Sequence, residues 1–231
     1  MHSNKYTFLY AIGFTSIVAA LLAVAATALY PRQKINIDQA KRKAILQSVM
    51  DVNEETLEAD YTKYITELVV NVDGEEVSEA VAFNVDVLKE SKKSNDERLL
   101  PIFIYDDGSR KNYIIPMTGN GLWNAISAFL ALEEDATTVY GVVFDHVAET
   151  PGLGAEITTD RFQDQYKGKK IADAGGTFAT ITVLKGIGND VSGNLHEVDG
   201  ISGATMTTNG VTDMFTEELQ NYASYFNKIK S

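Results

Sequence analysis

The longest feature of the hydrophobic pattern is an apolar segment near the N-terminus. Residues 6–30 include no charged side chain, and most of them are apolar. A helix of about 25 residues would be ~37 Å long, enough to cross a hydrocarbon core of about 30 Å. Tyr6, Tyr10 and Tyr30 lie near its ends, where aromatic side chains favour the membrane interface, and Pro31 is expected to end the helix. The pattern predicts a membrane anchor over 1–33.

A cleaved signal peptide is the alternative for this segment. The apolar region of a signal peptide is shorter, about 7–15 residues, and it ends in a small-residue cleavage site. The alanine-rich stretches 23–26 and 26–28 would serve as such a site. The length of the apolar run favours the uncleaved anchor over this alternative.

The rest of the chain, residues 34–231, has the pattern of one domain. A helix is predicted from Asp38, a suitable N-cap, to about Met50. Stretches rich in β-branched and aromatic residues, separated by turn signals, predict strands at 61–72, 77–87, 100–105, 113–116, 139–147 and 177–184. Because the strands cluster instead of alternating with helices, the predicted class is α+β, a single mixed sheet-and-helix domain behind one transmembrane helix.

Four further stretches complete the prediction. Residues 89–98 are charged and polar, which indicates a solvated loop. The periodicity of 124–132 does not distinguish a strand from a helix. Residues 191–198 are expected to return from a turn at 186–190 as the second strand of a final hairpin. Apolar residues then recur at spacings of three and four and predict a C-terminal helix packed on the sheet: Val211, Met214, Phe215, Leu219, Tyr222, Phe226 and Ile229.

Composition and charge exclude several classes of function. The formal net charge of −12 argues against a nucleic-acid partner, because phosphate backbones bind basic surfaces. The chain has no cysteine, which excludes thiol redox chemistry, thiolate metal sites and disulfides. His2, His146 and His196 are not spaced as ligands of one ion, so no metal site is predicted.

The most informative polar stretch is Asp199-Gly200-Ile201-Ser202-Gly203-Ala204-Thr205, directly before the C-terminal helix. Small residues let a backbone approach a ligand closely, and the free N–H groups and dipole of a helix start favour a phosphate. The alternative is a plain turn capped by Thr207 or Thr208, because turns of Gly, Ser and Thr are common.

A second glycine-rich loop, Glu-Thr-Pro-Gly-Leu-Gly-Ala-Glu at 149–156, follows the strand predicted at 139–147. Its proline and two glycines predict a rigid loop at a strand end, where binding residues are often found. Trp123, the single tryptophan, follows a glycine-rich turn at 118–121. Considered alone, a tryptophan is more often a core residue than a cofactor contact.

Together these stretches resemble the family of covalent FMN-binding domains. In that family FMN is joined by a phosphoester bond to the last threonine of an Asp-Gly and Ser-Gly-Ala-Thr motif, and a Glu-Thr-Pro-Gly-Leu-Gly loop lies against the flavin. The resemblance implies covalent FMN on Thr205, with Asp199 and Gly200 as flavinylation-motif residues. Glu149 would orient its loop or influence the ring, and a surface carboxylate is the alternative. The flavin-binding residues that the resemblance implies are Ser202, Gly203, Ala204, Thr205, Leu122, Trp123, Glu149, Thr150, Leu153 and Gly154.

Two further elements, Gly-Leu-Trp at 121–123 and Leu-Ala-Leu-Glu at 130–133, make the chain most similar to C subunits of sodium-translocating NADH:quinone oxidoreductases. This resemblance implies a subunit, not active alone, that relays electrons in a complex coupling NADH oxidation by quinone to sodium export. The implied partners are the other membrane and flavin subunits, membrane lipid and a magnesium-dependent flavin transferase. The alternatives are the homologous FMN subunit of the Rnf ferredoxin:NAD complex and a non-redox membrane-anchored binding module.

The charges that flank the apolar segment conflict with the resemblance about orientation. Lys5 precedes the segment, whereas five basic residues follow it within 32–43. Counted simply, the positive-inside rule would place the C-terminal domain in the cytoplasm. The resemblance implies a single-pass protein of the cell inner membrane with the domain on the periplasmic, extracytoplasmic side, and this is the expectation we adopt.

Overall fold

A computed structural model describes residues 3–230, and its first element is the helix α1 (Asn4–Gln47). By length and composition this helix is able to cross a membrane. Pro31 lies inside α1, so the predictions that it ends the helix and that Asp38 begins another were wrong. A proline removes one backbone hydrogen bond, but residues 14–47 contain no glycine that would weaken the helix further, so α1 continues past Pro31.

The chain divides between Arg42 and Lys43 into two compact units. The last turn of α1 therefore belongs to the second unit, where Ile45 and Leu46 are fully buried. The domain boundary predicted after residue 33 lies within α1 and stays a prediction.

The second unit is built on an antiparallel sheet of five strands in sequential order. The strands are β1 (Ile65–Val70), β2 (Leu100–Asp106), β3 (Lys111–Asn120), β4 (Ala125–Leu132) and β5 (Val139–His146). The α+β class is confirmed, and the strands predicted at 100–105, 113–116 and 139–147 are present. The ambiguous segment 124–132 is a strand, because β4 pairs with β3 on one side and β5 on the other.

Two strand predictions before β2 need correction. The helix α2 (Leu57–Tyr64) occupies the start of the strand predicted at 61–72, which begins only at Ile65. Residues 77–87 form no named strand; they include the 3-10 turn Ala82–Asn84 and lead into the short helix α3 (Val87–Glu90). Side chains override the β-propensity here, since Glu67 accepts a bond from the Phe83 N–H and Asp86 caps α3. The loop predicted at 89–98 contains the end of α3 and a 3-10 turn, Asn95–Glu97.

The segment after β5 forms a series of short turns before the terminal helices. It comprises the 3-10 helix Gly154–Thr158, the helix α4 (Asp160–Gln163) and the 3-10 turn Asp164–Tyr166. Only β6 (Thr182–Val183) and β7 (Glu197–Val198) remain of the strands predicted at 177–184 and 191–198. They pair in parallel, so the predicted hairpin was wrong: the connecting residues double back before β7 begins.

The single C-terminal helix predicted through Ile229 is two helices, α5 (Thr205–Asn221) and α6 (Ala223–Lys230), and α5 packs on β3 as predicted. The packing is close, because a Cβ atom on Gly119 would lie 2.7 Å from Met214 Cβ. The sheet is buried on both faces. One face carries Ile102 and Ile115 into a core with α5, and the other carries Phe103 and Ile114 into a core with the end of α1 and with α2.

Candidate functional site

The Ser-Gly-Ala-Thr stretch forms the turn that begins α5, and Thr205 is the first residue of that helix. Gly203 has φ 75°, a left-handed conformation that glycine adopts without strain. No side chain caps the helix start. Within residues 3–230 the backbone N–H groups of Thr205, Met206 and Thr207 have no protein acceptor. These donors and the helix dipole make the start of α5 suitable for an anion.

Three threonines lie in the first turn of α5, and their hydroxyl groups differ. The Thr208 hydroxyl donates to the carbonyls of Ala204 and Thr205, at 3.2 and 3.1 Å, and the Thr207 hydroxyl donates to Glu149. Both side chains are buried, and neither caps the helix, so the capped-turn alternative was wrong. Thr205 is partly exposed, and its hydroxyl makes no hydrogen bond to the described part of the chain. Thr205 is thus the one threonine of this turn whose hydroxyl has no hydrogen bond among residues 3–230.

Asp199 holds the loop that precedes Thr205. Its carboxylate accepts the backbone N–H groups of Gly188, Asn189 and Gly200 at 2.8, 3.0 and 3.0 Å. Burial acts to raise the pKa of Asp199, but these bonds outweigh it and lower the pKa below its usual value. Gly200 is packed against the Leu184 carbonyl, where a Cβ atom would not fit. Asp199 and Gly200 therefore fix the backbone on the approach to α5.

Glu149 is buried, with 5% of its surface exposed, so the surface-carboxylate alternative does not hold. Its carboxylate accepts the Trp123 backbone N–H at 2.9 Å and the Thr207 hydroxyl at 2.6 Å. A Cβ atom on Gly154 would lie 2.5 Å from Thr207 Oγ1, and it would also contact Glu149. Glu149 thus brings the turn at 121–124, its own loop and the start of α5 together.

Large apolar side chains are exposed around this junction. Trp123 is 68% exposed, so the core position that is usual for a tryptophan does not apply to it, and Leu122 and Leu153 are 52% and 40% exposed. A Cβ atom on Gly203 would lie 2.8 Å from Leu153 Cδ2, which places Leu153 against the Ser-Gly-Ala-Thr turn. Thr150 is exposed, and its carbonyl accepts the N–H groups of Leu153 and Ala155 to close the loop. Exposed apolar groups beside an anion site suit a ligand with a flat ring and a phosphate.

The sequence did not indicate every residue of this region. Thr207 was considered only as a cap, because its partner Glu149 is 58 residues away in the chain. A cavity of about 390 Å³ also opens beside Ser202. Its other lining includes residues that carried no sequence signal for a site: Arg161, Phe162, Gln165 and Ile187.

The histidines take part in local hydrogen bonds. His146 Nδ1 accepts the Glu149 N–H at 3.2 Å, and His196 Nδ1 lies 2.8 Å from the Lys170 carbonyl oxygen. His2 lies outside the described residues. Across residues 3–230 no group of three or more His, Asp or Glu side chains is arranged to hold a metal ion.

Comparison with known proteins adds a family to this geometry. Residues 121–220 match the model of the FMN-binding domain, and this range includes all three segments that meet at Glu149. Among curated proteins, the C subunit of the Na(+)-translocating NADH-quinone reductase of Haemophilus ducreyi is 33% identical over 217 residues, which cover 86% of this chain and 83% of that protein. The corresponding protein of Vibrio anguillarum is 32% identical over 231 residues, which cover 92% of this chain and 89% of that protein.

Two solved structures are similar in fold as well as in sequence. The C subunit of the Na(+)-translocating NADH-quinone reductase of Parabacteroides distasonis is 38% identical with a TM-score of 0.77, over 86% of this chain and 96% of that one. The Shewanella oneidensis protein NqrC is 27% identical with a TM-score of 0.70, and the match covers 84% of this chain and 97% of that one.

Proposed function

The chain belongs to the family of C subunits of the Na(+)-translocating NADH-quinone reductase and has an FMN-binding domain, and we propose that it carries FMN in a phosphoester bond to Thr205. In this proposal it is a membrane-anchored electron carrier of a complex that oxidises NADH with quinone and exports sodium. The observation that supports the attachment site best is the difference among the three threonines in the first turn of α5. Thr205 is partly exposed and its hydroxyl has no hydrogen bond in the described part of the chain, whereas Thr207 and Thr208 are buried and hydrogen-bonded.

The start of α5 fits the phosphate of FMN. A phosphoester on Thr205 would lie beside the N–H groups of Thr205, Met206 and Thr207, which have no acceptor among residues 3–230. The net charge of the chain is −12, so its overall electrostatic potential disfavours a bound anion. The N–H donors would offset this by binding the phosphate oxygens directly. Ser202, Gly203 and Ala204 would line the approach to the phosphate.

The exposed apolar side chains fit the flavin ring. Leu122 and Trp123 would cover it from the turn at 121–124, and Leu153 would do so from the loop that Thr150 closes. Gly154, which has no room for a side chain, keeps that loop close to α5. FMN supplies the electron-transfer chemistry, and these residues bind and orient it.

Attachment requires a second enzyme, because a threonine hydroxyl is a weak nucleophile. In the proposed reaction, a magnesium-dependent transferase uses FAD. The Thr205 Oγ forms a bond to the phosphorus of the FMN half, the pyrophosphate bond breaks, AMP leaves and the hydroxyl proton is released.

We place the protein in the cell inner membrane, with α1 as a single span and the domain on the extracytoplasmic side. Covalent attachment has a reason there, since free FMN would be lost outside the cytoplasm. The other subunits of the complex and the membrane lipid are its proposed partners. The FMN subunit of an Rnf complex and a non-redox binding module are the alternatives, and the curated relatives described above favour the first assignment.

Mass spectrometry of protein purified from its native membrane tests the proposal. We expect a mass increase of FMN less one water. The increase should map to residues 186–228, which trypsin releases as one peptide because no Lys or Arg lies within it before Lys228. Fragmentation must then localise it, since this peptide contains several hydroxyl groups.

A pair of variants completes this test. Thr205→Val keeps the side-chain shape and should abolish the mass increase, whereas Thr208→Val, the same change at a buried hydroxyl, should retain it. Covalent flavin on the Thr205→Val protein would refute the assignment. An unmodified wild-type chain, in a host with an active flavin transferase, would favour the non-redox module.

A further inference from the structure

Glu149 is one of the few buried charged side chains, and its two carboxylate oxygens face different segments. Oε1 accepts the Trp123 N–H, and a Cβ atom on Gly121 would lie 2.5 Å from it. Oε2 accepts the Thr207 hydroxyl on α5. One carboxylate therefore joins the turn at 121–124 to the helix that carries Thr205.

The groups around this carboxylate are hydrogen-bond donors. Burial alone would raise the pKa of Glu149, but the Thr207 hydroxyl, the N–H groups of Trp123 and Asn124, and the nearby His146 lower it. The carboxylate is thus ionised at neutral pH, and both of its oxygens act as acceptors. A glutamine has no charge and only one acceptor oxygen, so it keeps both contacts only if the Thr207 hydroxyl turns from donor to acceptor, and then only as weaker neutral hydrogen bonds.

The turn at 121–124 depends on this carboxylate. The turn is closed by a bond from the Gly121 N–H to the Asn124 carbonyl at 2.8 Å, and the Trp123 N–H is bound only by Glu149 among residues 3–230. The Leu122 and Trp123 side chains are mostly exposed, so they contribute little packing that would hold the turn in place.

We propose that Glu149 is a positioning residue that fixes Trp123 relative to the Thr205 end of α5 through these two hydrogen bonds. This inference rests on the proposed function, because it gives Trp123 the task of covering the flavin. Glu149 acts through the backbone of the turn and through Thr207, and it does not bind the flavin itself. Its loss is therefore expected to loosen the ring side of the site while Thr205 stays available for attachment.

The single tryptophan permits a direct test in flavin-free protein, expressed without a transferase. Labelling with ¹⁵N-tryptophan gives one backbone amide signal, that of Trp123, in the full chain in detergent. In Glu149→Gln the hydrogen exchange of this amide should become about tenfold faster, because a hydrogen bond to a charged acceptor is replaced at best by a weaker one to a neutral acceptor. Glu156→Gln is the matched control, because among residues 3–230 the Glu156 carboxylate accepts only the Gly152 N–H, at 3.0 Å, in the same loop.

Thr207→Val tests the connection between α5 and the turn. Thr207 has no hydrogen bond to Trp123, so a purely local role would leave the Trp123 amide unchanged. If Glu149 connects the two segments, this variant also speeds exchange at Trp123, and it adds little in a Glu149→Gln background. The variant also keeps the proposal testable if Glu149→Gln fails to fold.

In flavin-loaded protein, Glu149→Gln should retain the mass increase on the Thr205 peptide but change the visible circular dichroism of the flavin. Exchange at Trp123 that is as slow in Glu149→Gln and Thr207→Val as in the Glu156→Gln control would overturn the inference. Because the exchange experiment uses flavin-free protein, it decides the role of Glu149 even if Thr205 is never modified.

Discussion

Glu218 provides a pH-dependent test of how α5 packs on the sheet. Its side chain is 5% exposed on the buried face of the helix. Burial, with a smaller contribution from Glu217 and an opposing one from Arg98, raises its pKa from 4.5 to about 7. The folded protein therefore binds a proton at Glu218 that the unfolded chain has already released above pH ~5.

The magnitude follows from the size of this shift. A difference of about 2.5 pH units corresponds to ~3 kcal/mol at ~1.36 kcal/mol per unit. This stability is fully present below the unfolded pKa of about 4.5, and it is lost as the pH rises through about 7. Glu218→Gln removes the titrating group. The variant should gain up to ~3 kcal/mol relative to the wild type between pH 5 and pH 8.

Urea unfolding of the full chain in detergent, followed by near-UV circular dichroism at pH 5 and pH 8, measures this difference. The carboxyl groups with a lowered pKa, such as Glu149 and Asp199, have already titrated below this range and contribute little to it. Asp213→Asn, a neutralised exposed carboxyl group on α5, serves as the control. Equal differences in the free energy of unfolding between Glu218→Gln and the wild type at both pH values would refute the reasoning.

Two further predictions concern the loop geometry and the orientation. Gly154→Ala should destabilise the domain and speed exchange at the Trp123 amide. The added Cβ would lie 2.5 Å from Thr207 Oγ1 and would push the Thr207 hydroxyl away from Glu149. Gly175→Ala is the control, since the nearest atom to its Cβ would be 3.3 Å away, and it should have little effect on either measurement. Since the chain has no cysteine, Lys92→Cys at an exposed position offers a single thiol. A membrane-impermeant maleimide should label it in cells with a permeabilised outer membrane, and labelling only after lysis would place the domain in the cytoplasm.

Local signals in the sequence predicted most of the sheet. The strands at β2, β3 and β5 are dense in β-branched and aromatic residues, and turn residues separate them, so each could be predicted from its own segment. The predictions failed where a distant side chain decides the conformation. The stretch 77–87 has strand-like composition, but the bond from the Phe83 N–H to Glu67 fixes it as a turn.

The candidate site shows the same limit. The resemblance of two short stretches indicated Thr205, Glu149 and their neighbours, and the fold brings Glu149 against the turn of Trp123 and against α5. The role of Thr207 could not be predicted, because no local pattern connects it to a carboxylate 58 residues earlier. The exposure of Trp123 could not be predicted from its amino-acid type, which favours burial of a tryptophan, and only the resemblance pointed to a position in the site.

The sequential order of the five strands has a consequence for how the domain folds. Each strand pairs with its neighbour in the chain, and short loops join β2 to β5, although a longer connection, residues 71–99, joins β1 to β2. The terminal helices, in contrast, join the sheet through distant contacts, such as the bond from the Tyr222 hydroxyl to the Pro101 carbonyl, 121 residues away. We expect α5 to dock last, after a sheet that is already formed. Thr205 would then spend the final stage of folding on an undocked segment, and the flavin transfer proposed above would compete with helix docking in time.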